Sequence, residues 1–508
     1  MNETYNVRHF MEMAMNCFYQ KNRGNGNSFF TFACFLILCS ILSYPAISFS
    51  EKKVIIISPH WEGIETEFER GFEQFSKAKT GERIGVEWLD QGGTSAMLRF
   101  VKSEFAARPE GIGIDMMFGG GVDPYLELRR LNLTHPYRLP EGILSKIAPS
   151  IGGMRMYDPD YHWYGATLAG FGIIFNKAVL NMIHLPEPKT WEDLGDPRLL
   201  TWVGSADPRS SGSVHMAYEI ILQAFGWEKG WEVLTRLGAN VRNFTKGSNQ
   251  SVKDVAVGEV AYGLAIDFYA WAQVDEVGAE YIGYTMPENL TIVNPDAIAI
   301  LRGAPHPEAA RLFLEFVLSE PGQKLWMLRK GAPGGPVEFQ LNRFSVIPSL
   351  YEKAWENTSV RMNPFDWHSS LIYDSEKGSA RWRIVNDLVG VLLVDSHREL
   401  VRAWKQVIER GVGEEDLRRL CAVPISEDEA LKLAGKWGDP EIRNRTIAAW
   451  TAFAREKYGA FGGGKTGRGA SILMWVSLGV LLVTVAPYGW SVVQRRRVQR
   501  WILERDDK

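Results

Sequence analysis

Lys53-Val54-Ile55-Ile56-Ile57-Ser58-Pro59-His60-Trp61 opens with a short β-branched run that shows no polar alternation and then breaks into a loop. Such a run reads as a strand buried on both faces, delivering its loop to a site. Working outward, Ile64, Phe68, Phe72 and Phe75 recur at three- and four-residue spacing and predict an amphipathic helix from Ile64 to Ala78. Ile84 to Leu89 reads as a second strand, and Gln91-Gly92-Gly93-Thr94-Ser95 then opens a helix from Ala96 to Ala107. Ile114 to Phe118 is a third apolar run, ended by Gly119-Gly120-Gly121. Strand, helix, strand, helix, strand predicts an α/β fold with a parallel, helix-covered sheet. Ligands of such sheets bind outside the carboxyl ends of the strands, so His60, Gly92 to Ser95, and Gly119 and Gly120 are candidate binding residues.

A second unit repeats the same grammar. The extended, glycine-punctuated run from Tyr164 to Asn176 can serve as a hinge, and Thr190 is placed to cap a short helix after Pro186-Glu187-Pro188. Leu200 to Val203 reads as a strand, followed by the loop Asp207-Pro208-Arg209-Ser210-Ser211-Gly212-Ser213 and a helix from Val214 to Ala224. Val255 to Asp267, Gly283 to Thr285 and Ala297 to Leu301 are later strand candidates, and Glu308 to Lys324 is a helix with a break at Pro321-Gly322. Residues 338–458 read as mostly helical, rich in charge and tryptophan, with no assignable chemistry.

The 508 residues, 45% of them hydrophobic, allow two or three domains with a sizeable core. With 57 Lys and Arg against 60 Asp and Glu, no electrostatic case for nucleic-acid binding exists. Two uncharged apolar stretches bracket the chain. Phe29 to Phe49 follows Lys21 and Arg23 and ends in Ser48-Phe49-Ser50, the order of a secretory signal, so residues 1–50 are expected to be a leader. Ala470 to Val493 is long enough to cross a hydrocarbon core of roughly 30 Å and is followed by Arg495, Arg496, Arg497 and Arg500. A C-terminal transmembrane helix, a glycine-rich tether over 459–469 and a cytoplasmic basic tail over 494–508 are therefore expected, with the bulk of the chain outside the cytoplasm. Of four cysteines only Cys421 lies beyond the leader, so no internal disulfide is expected.

Small hydroxyl residues stand before helix starts at Gly92-Gly93-Thr94-Ser95 and at Ser210-Ser211-Gly212-Ser213, where free backbone N–H groups favour an anionic ligand group. Capping explains either turn alone, but two of them in successive α/β units point to one ligand shared between lobes. His60, Tyr262, Asp267 and Tyr269 are candidate hydrogen-bonding or metal-ligating groups, with His60 and Tyr269 the candidates for a metal. No paired histidines on one helical turn, no paired cysteines and no Gly-x-Ser-x-Gly elbow occur, so catalysis has no support and no enzyme is expected. Gly459 to Thr466 has the spacing of a phosphate loop but follows no strand, and is read as tether.

Several segments together carry a resemblance. Thr190-Trp191-Glu192-Asp193-Leu194-Gly195-Asp196-Pro197, Ala206-Asp207-Pro208-Arg209-Ser210-Ser211-Gly212-Ser213, Val257-Gly258-Glu259-Val260-Ala261, and Asn294-Pro295-Asp296-Ala297 with Gly303-Ala304-Pro305-His306-Pro307-Glu308 stand in fixed order. Over roughly residues 53–330 the chain resembles extracellular solute-binding proteins of bacterial ABC importers, nearest the ferric-iron-binding branch. The resemblance implies a two-lobed periplasmic-binding-protein-like fold with a hinge. Lobe one would span 51–165 with a return over about 294–337, and lobe two 166–293. It further implies ligand capture between the lobes at the Gly92–Ser95 turn, His60 and the Ser210–Ser213 turn, delivery to ABC permease and ATPase subunits, and a periplasmic or extracytoplasmic site of action. Iron-binding members present two adjacent tyrosines where this chain reads Asp267-Phe268-Tyr269, so the implied cargo is ferric iron with an anion or a small anionic solute. The extra segment 338–458 and the expected anchor depart from the family. A ligand-sensing ectodomain working through a membrane partner, and a secreted hydrolase, are the alternative readings.

Overall fold

The computed structural model describes residues 52–461. The expected leader, the tether beyond Phe461, the expected span and the basic tail lie outside the described residues. The first lobe runs β1 (Lys53–Ile57), α1 (Glu62–Thr80), β2 (Gly85–Leu89), α2 (Thr94–Ala107), β3 (Met116–Phe118) and α3 (Asp123–Arg130), followed by the short β4 (Thr134–His135) and a hairpin of β5 (Ser150–Ile151) and β6 (Met154–Arg155). β7 (Tyr164–Asn176) leads into a second lobe of β8 (Val203–Ala206), α4 (Gly212–Phe225), α5 (Trp227–Asn240), β9 (Val241–Thr245), α6 (Ser248–Ala256), β10 (Tyr262–Ile266), α7 (Asp267–Val277) and β11 (Ile282–Thr285). β12 (Val293–Leu301) returns to the first lobe and is followed by α8 (Pro307–Leu318) and α9 (Glu320–Met327). A C-terminal extension then adds α10 (Ser375–Val389), α11 (His397–Glu409), α12 (Glu414–Leu420), α13 (Glu427–Ala434) and α14 (Pro440–Gly459).

The strand order β2-β1-β3-β12-β7-β10-β8-β9 passes through one long strand that belongs to both lobes. Along β7, Tyr164 to Gly170 pair antiparallel with β12, whereas Phe171 to Phe175 pair with β10. The exchange of neighbours at Gly170 and Phe171 is the crossing point. Every residue of β7 and β12 is buried, which explains why the run from Tyr164 is apolar and small throughout rather than alternating. The expected hinge is thus a continuous strand. Asp267 pins the crossing: its Oδ2 accepts the Gly170 N–H at 2.8 Å and its Oδ1 that of Phe268 at 2.7 Å.

The extension is not an appendage. Leu388, Leu392, Trp404, Trp437 and Trp450 share one core with Trp191, Tyr218 and Trp231 of the second lobe. Before it, Leu341, Phe344, Val346 and Ile347 pack into the first-lobe core, and buried Glu67 accepts N–H bonds from Val337 and Phe339 at 2.9 and 2.8 Å. α10 then bridges the lobes. Toward the first, Tyr373 and Ser379 hydroxyls donate to the Asp123 carboxylate and carbonyl at 2.7 and 2.9 Å, and Trp382 Nε1 donates to Ser95 Oγ at 3.2 Å. Toward the second, Trp382 stacks on His215 with ring centroids 3.6 Å apart, and Asn386 Oδ1 meets His215 Nδ1 at 2.7 Å. Arg381 forks onto Glu219 at 2.7 and 2.9 Å, both side chains fully buried.

The expectation of a transmembrane helix in the architecture is corrected. No helix among the described residues is long and apolar enough to cross a membrane. The last of them, α14, carries Arg443, Arg445, Arg455 and Lys457 within its 20 residues and cannot do so. The described architecture is therefore two lobes and a helical extension.

Two outcomes follow from the seam. Arg381→Ala leaves the buried Glu219 carboxyl without its guanidinium partner, and should cost about 3–5 kcal/mol in urea unfolding, whereas the paired change Arg381→Met with Glu219→Leu should recover most of the loss. A single-variant cost under about 1 kcal/mol would show the pair to be energetically idle. Burial pushes the His215 pKa down to about 3, below its unfolded value of 6.5. Acid therefore favours the unfolded chain, which takes up a proton that folded His215 refuses. Stability should fall as pH drops from about 6.5 toward 3, with at most about 1.4 kcal/mol per pH unit from this group, and His215→Gln should flatten that slope in pH-resolved melts.

Candidate functional site

A cavity of about 210 Å³ lies where the carboxyl ends of strands from both lobes face each other. From the first lobe, β1 delivers Pro59, His60 and Trp61, β2 delivers Gly93 and Thr94 at the start of α2, and β3 delivers Gly120 and Gly121. Gly119, Gly120 and Gly121 all have positive φ, between 80° and 101°. Side chains rarely adopt this conformation, and a Cβ on Gly119 would stand 2.8 Å from the His60 ring. The glycine run thus lets the chain pass directly under His60 and Thr94. From the second lobe, β8 leads to Ser210–Ser213 and α4, whose N-cap Ser211 accepts the Val214 N–H at 3.4 Å. β9 leads to Lys246-Gly247-Ser248-Asn249 and the start of α6. Three helix amino ends, of α2, α4 and α6, therefore meet at one cavity, each with first-turn N–H groups that have no partner inside the helix.

The lobes touch across this cavity. Ser95 Oγ donates to the Pro208 carbonyl at 3.3 Å and Arg99 Nη1 to the Arg209 carbonyl at 2.8 Å. A Cβ on Gly93 would fall 2.1 Å from the Ser210 carbonyl oxygen, so only glycine permits this approach. The arrangement is a closed one.

The floor holds a buried charge cluster. Arg343 Nη2 donates to Asp296 Oδ2 at 2.7 Å, Gly121 N–H donates to Asp296 Oδ1 at 2.8 Å, and Arg343 Nη1 lies 3.2 Å from His60 Nε2. An arginine N–H can only donate, so His60 Nε2 is the acceptor and the ring is neutral. The 3.5 Å separation of His60 Nε2 from Asp296 is then a contact rather than a hydrogen bond. Burial pushes the His60 pKa down, outweighing the nearby Asp296. Burial pushes Asp296 up, but the Arg343 charge, His60 and the Gly121 N–H outweigh it and hold the carboxyl below its usual range. The floor thus carries one cation and one anion, and Lys246 adds a positive charge at the wall. Arg343 Nε is a buried donor without an acceptor among the described residues.

Of the residues singled out from sequence, His60, Gly93, Thr94, Gly120, Ser210, Ser211, Gly212, Ser213 and Tyr269 line the cavity. Four do not. Gly92 is exposed, with φ 86° and its N–H on Asp90; Gly119 underlies His60; Ser95 turns its hydroxyl to Pro208 and Trp382. Asp267 spends both oxygens on the crossing strand, and burial pushes its pKa up to about 7. As a metal site the cavity fits poorly. His60 Nε2 is taken by a guanidinium, whose charge repels a cation, and burial pushes the Tyr269 phenol up. Among the described residues no group of three or more His, Cys, Asp or Glu could hold a metal ion. Sequence reasoning missed the Lys246–Asn249 turn, Asp296, Arg343 and Trp382. The first had a signal, a Gly-Ser pair before a helical stretch.

Residues 144–356 match the family model described as bacterial extracellular solute-binding protein. Among curated proteins the chain is 28% identical over 159 residues to the phosphoglycerate transport regulatory protein PgtC of Salmonella typhimurium, covering 31% of this chain and 39% of that one. Among solved structures it resembles the periplasmic binding protein AfuA of Actinobacillus pleuropneumoniae with fructose-6-phosphate bound, at TM-score 0.51 and 20% identity, covering 78% of this chain and 99% of that one. Iron-bound HitA of Pseudomonas aeruginosa matches at TM-score 0.51 and 19% identity, covering 67% and 99%. At such identities these structures establish the fold alone.

Gly93→Ala tests the closed geometry. The backbone there, φ −68° and ψ 169°, suits alanine, so the fold should persist while the lobes are wedged apart. Small-angle scattering should show a larger radius of gyration at nearly unchanged melting temperature; an unchanged radius would refute a direct lobe contact.

Proposed function

We propose that the chain, whose residues 144–356 match the family model described as bacterial extracellular solute-binding protein, captures a small phosphorylated solute in the closed interlobe cavity for an ABC importer. The observation that carries this reading is the convergence of three helix amino ends from two lobes, with Lys246, on one cavity whose floor is already charge-balanced. Backbone N–H groups at helix starts and a lysine are a cradle for a tetrahedral oxyanion. Two of the similar proteins, the phosphoglycerate transport regulatory protein PgtC and AfuA with fructose-6-phosphate bound, are associated with phosphorylated solutes, which agrees with that chemistry. The neutral, arginine-bound His60 and the single phenol of Tyr269 favour an anion over ferric iron. ABC permease and ATPase subunits would be the partners, and the site of action extracytoplasmic.

Titration calorimetry of the purified protein against inorganic phosphate, 3-phosphoglycerate, fructose-6-phosphate and ferric citrate tests this. A phosphorylated solute should bind and raise the melting temperature. Lys246→Ala should weaken it about 10- to 100-fold, the worth of one charge-assisted hydrogen bond of about 1.5–3 kcal/mol. Binding of the ferric complex alone, or unchanged affinity in Lys246→Ala, would overturn the reading.

A further inference from the structure

Behind Trp382, whose indole lines the cavity just described, a second cavity of about 490 Å³ opens between α2 and α10. Its charged lining comes from three parts of the chain: Arg99 and Lys102 from the first lobe, Arg209 from the second, and Arg383, Asp387 and Arg443 from the extension. Five cations thus face one carboxylate. Three of them are already matched. Lys102 pairs with Glu127, Arg209 with Asp207 and Asp395 at 2.8 Å each, and Arg443 forks onto Asp387 at 2.7 and 3.1 Å.

Arg99 and Arg383 are not matched. Among the described residues neither has a carboxylate partner; Arg99 has only the Arg209 carbonyl, and Arg383 makes no side-chain hydrogen bond. Burial first, and then the charges of Arg443 and Arg383, push the Arg99 guanidinium below its ordinary value against the pull of Asp387. Like charges gathered in a concave wall raise the local potential and concentrate anions there. Two guanidinium forks on opposite sides of one cavity suit a ligand with two oxyanion groups, because each fork takes an oxyanion bidentately.

We propose that this second cavity is an anion site that takes a small molecule with two phosphate-type groups, bridging Arg99 of the first lobe and Arg383 of the extension. Occupancy joins lobe and extension and so stabilises the docked α10, whose Trp382 forms part of the first cavity. The site shares Trp382 with the interlobe cavity but none of its charged residues, and does not depend on what that cavity binds.

Calorimetry and thermal melting of the full chain with inorganic pyrophosphate test the proposal. Wild type and Lys246→Ala, which disables only the first cavity, should bind alike and melt higher with pyrophosphate. Arg383→Ala should weaken binding at least tenfold while keeping the unliganded melting temperature, because its side chain holds no ion pair or hydrogen bond among the described residues, and Arg99→Ala with Arg383→Ala should abolish binding. Arg383→Lys should retain part of the affinity, as charge without the fork. Unchanged affinity in the double variant, absence of pyrophosphate binding in wild type, or loss of binding in Lys246→Ala alone would each overturn the site.

Discussion

One buried guanidinium organises the centre of this molecule. Arg343 is fully buried, and its charge is acceptable there only because Asp296 of the returning strand meets it at 2.7 Å. The same group donates to His60 on the first loop and lies over Phe268 of the second lobe, 4.5 Å from the ring centroid, and over Trp326 at 5.2 Å. It therefore ties a loop, a crossing strand and the start of α7 to one point. The rest of the floor follows from that. Asp296 stays ionised, Gly121 must offer its N–H and so must turn through a left-handed conformation, and His60 is held neutral as an acceptor. With cation and anion cancelling, the proposed ligand would meet the fringe of backbone N–H groups and Lys246, a field that favours negative charge.

Much of the first lobe is legible from Lys53 onward, because β1 and β3 are continuous apolar runs with no alternation to confuse, ended within two residues by proline or glycine. The turns at Gly93-Thr94 and Ser210–Ser213 were legible for a related reason: small hydroxyl residues just before an amphipathic stretch mark a helix start. The third turn was not, because β9 (Val-Arg-Asn-Phe-Thr) pairs only with β8 at the end of the strand order and is largely exposed, so its composition does not read as a strand. Val255 to Asp267 misled in the opposite sense. Its apolar residues end one helix, fill a five-residue strand and begin another helix, and periodicity cannot divide so short a run.

Asp296, Arg343 and Trp382 were beyond local reading altogether. Each is a single residue brought to the cavity by a strand crossing or a helix docking far along the chain. Asp267 shows the converse: its type and position suit a ligand, but a backbone N–H of the crossing strand claims it. The extension was legible as helical and no further, since its stripe pattern says that a face is buried without saying against which lobe.

That extension changes how the lobes are joined. Two crossing strands alone make a hinge that can bend with little loss of contact. Here α10 adds a third attachment, holding Asp123 and Ser95 on one side and His215 and Glu219 on the other. For a bound solute to leave by parting of the lobes, one side of that attachment must first let go, and the hydroxyl and indole bonds to the first lobe are weaker than the buried ion pair to the second. Residence time is then set by how often a helix unlatches rather than by how tightly the solute is gripped, so that dwell and affinity can be tuned by separate parts of the chain.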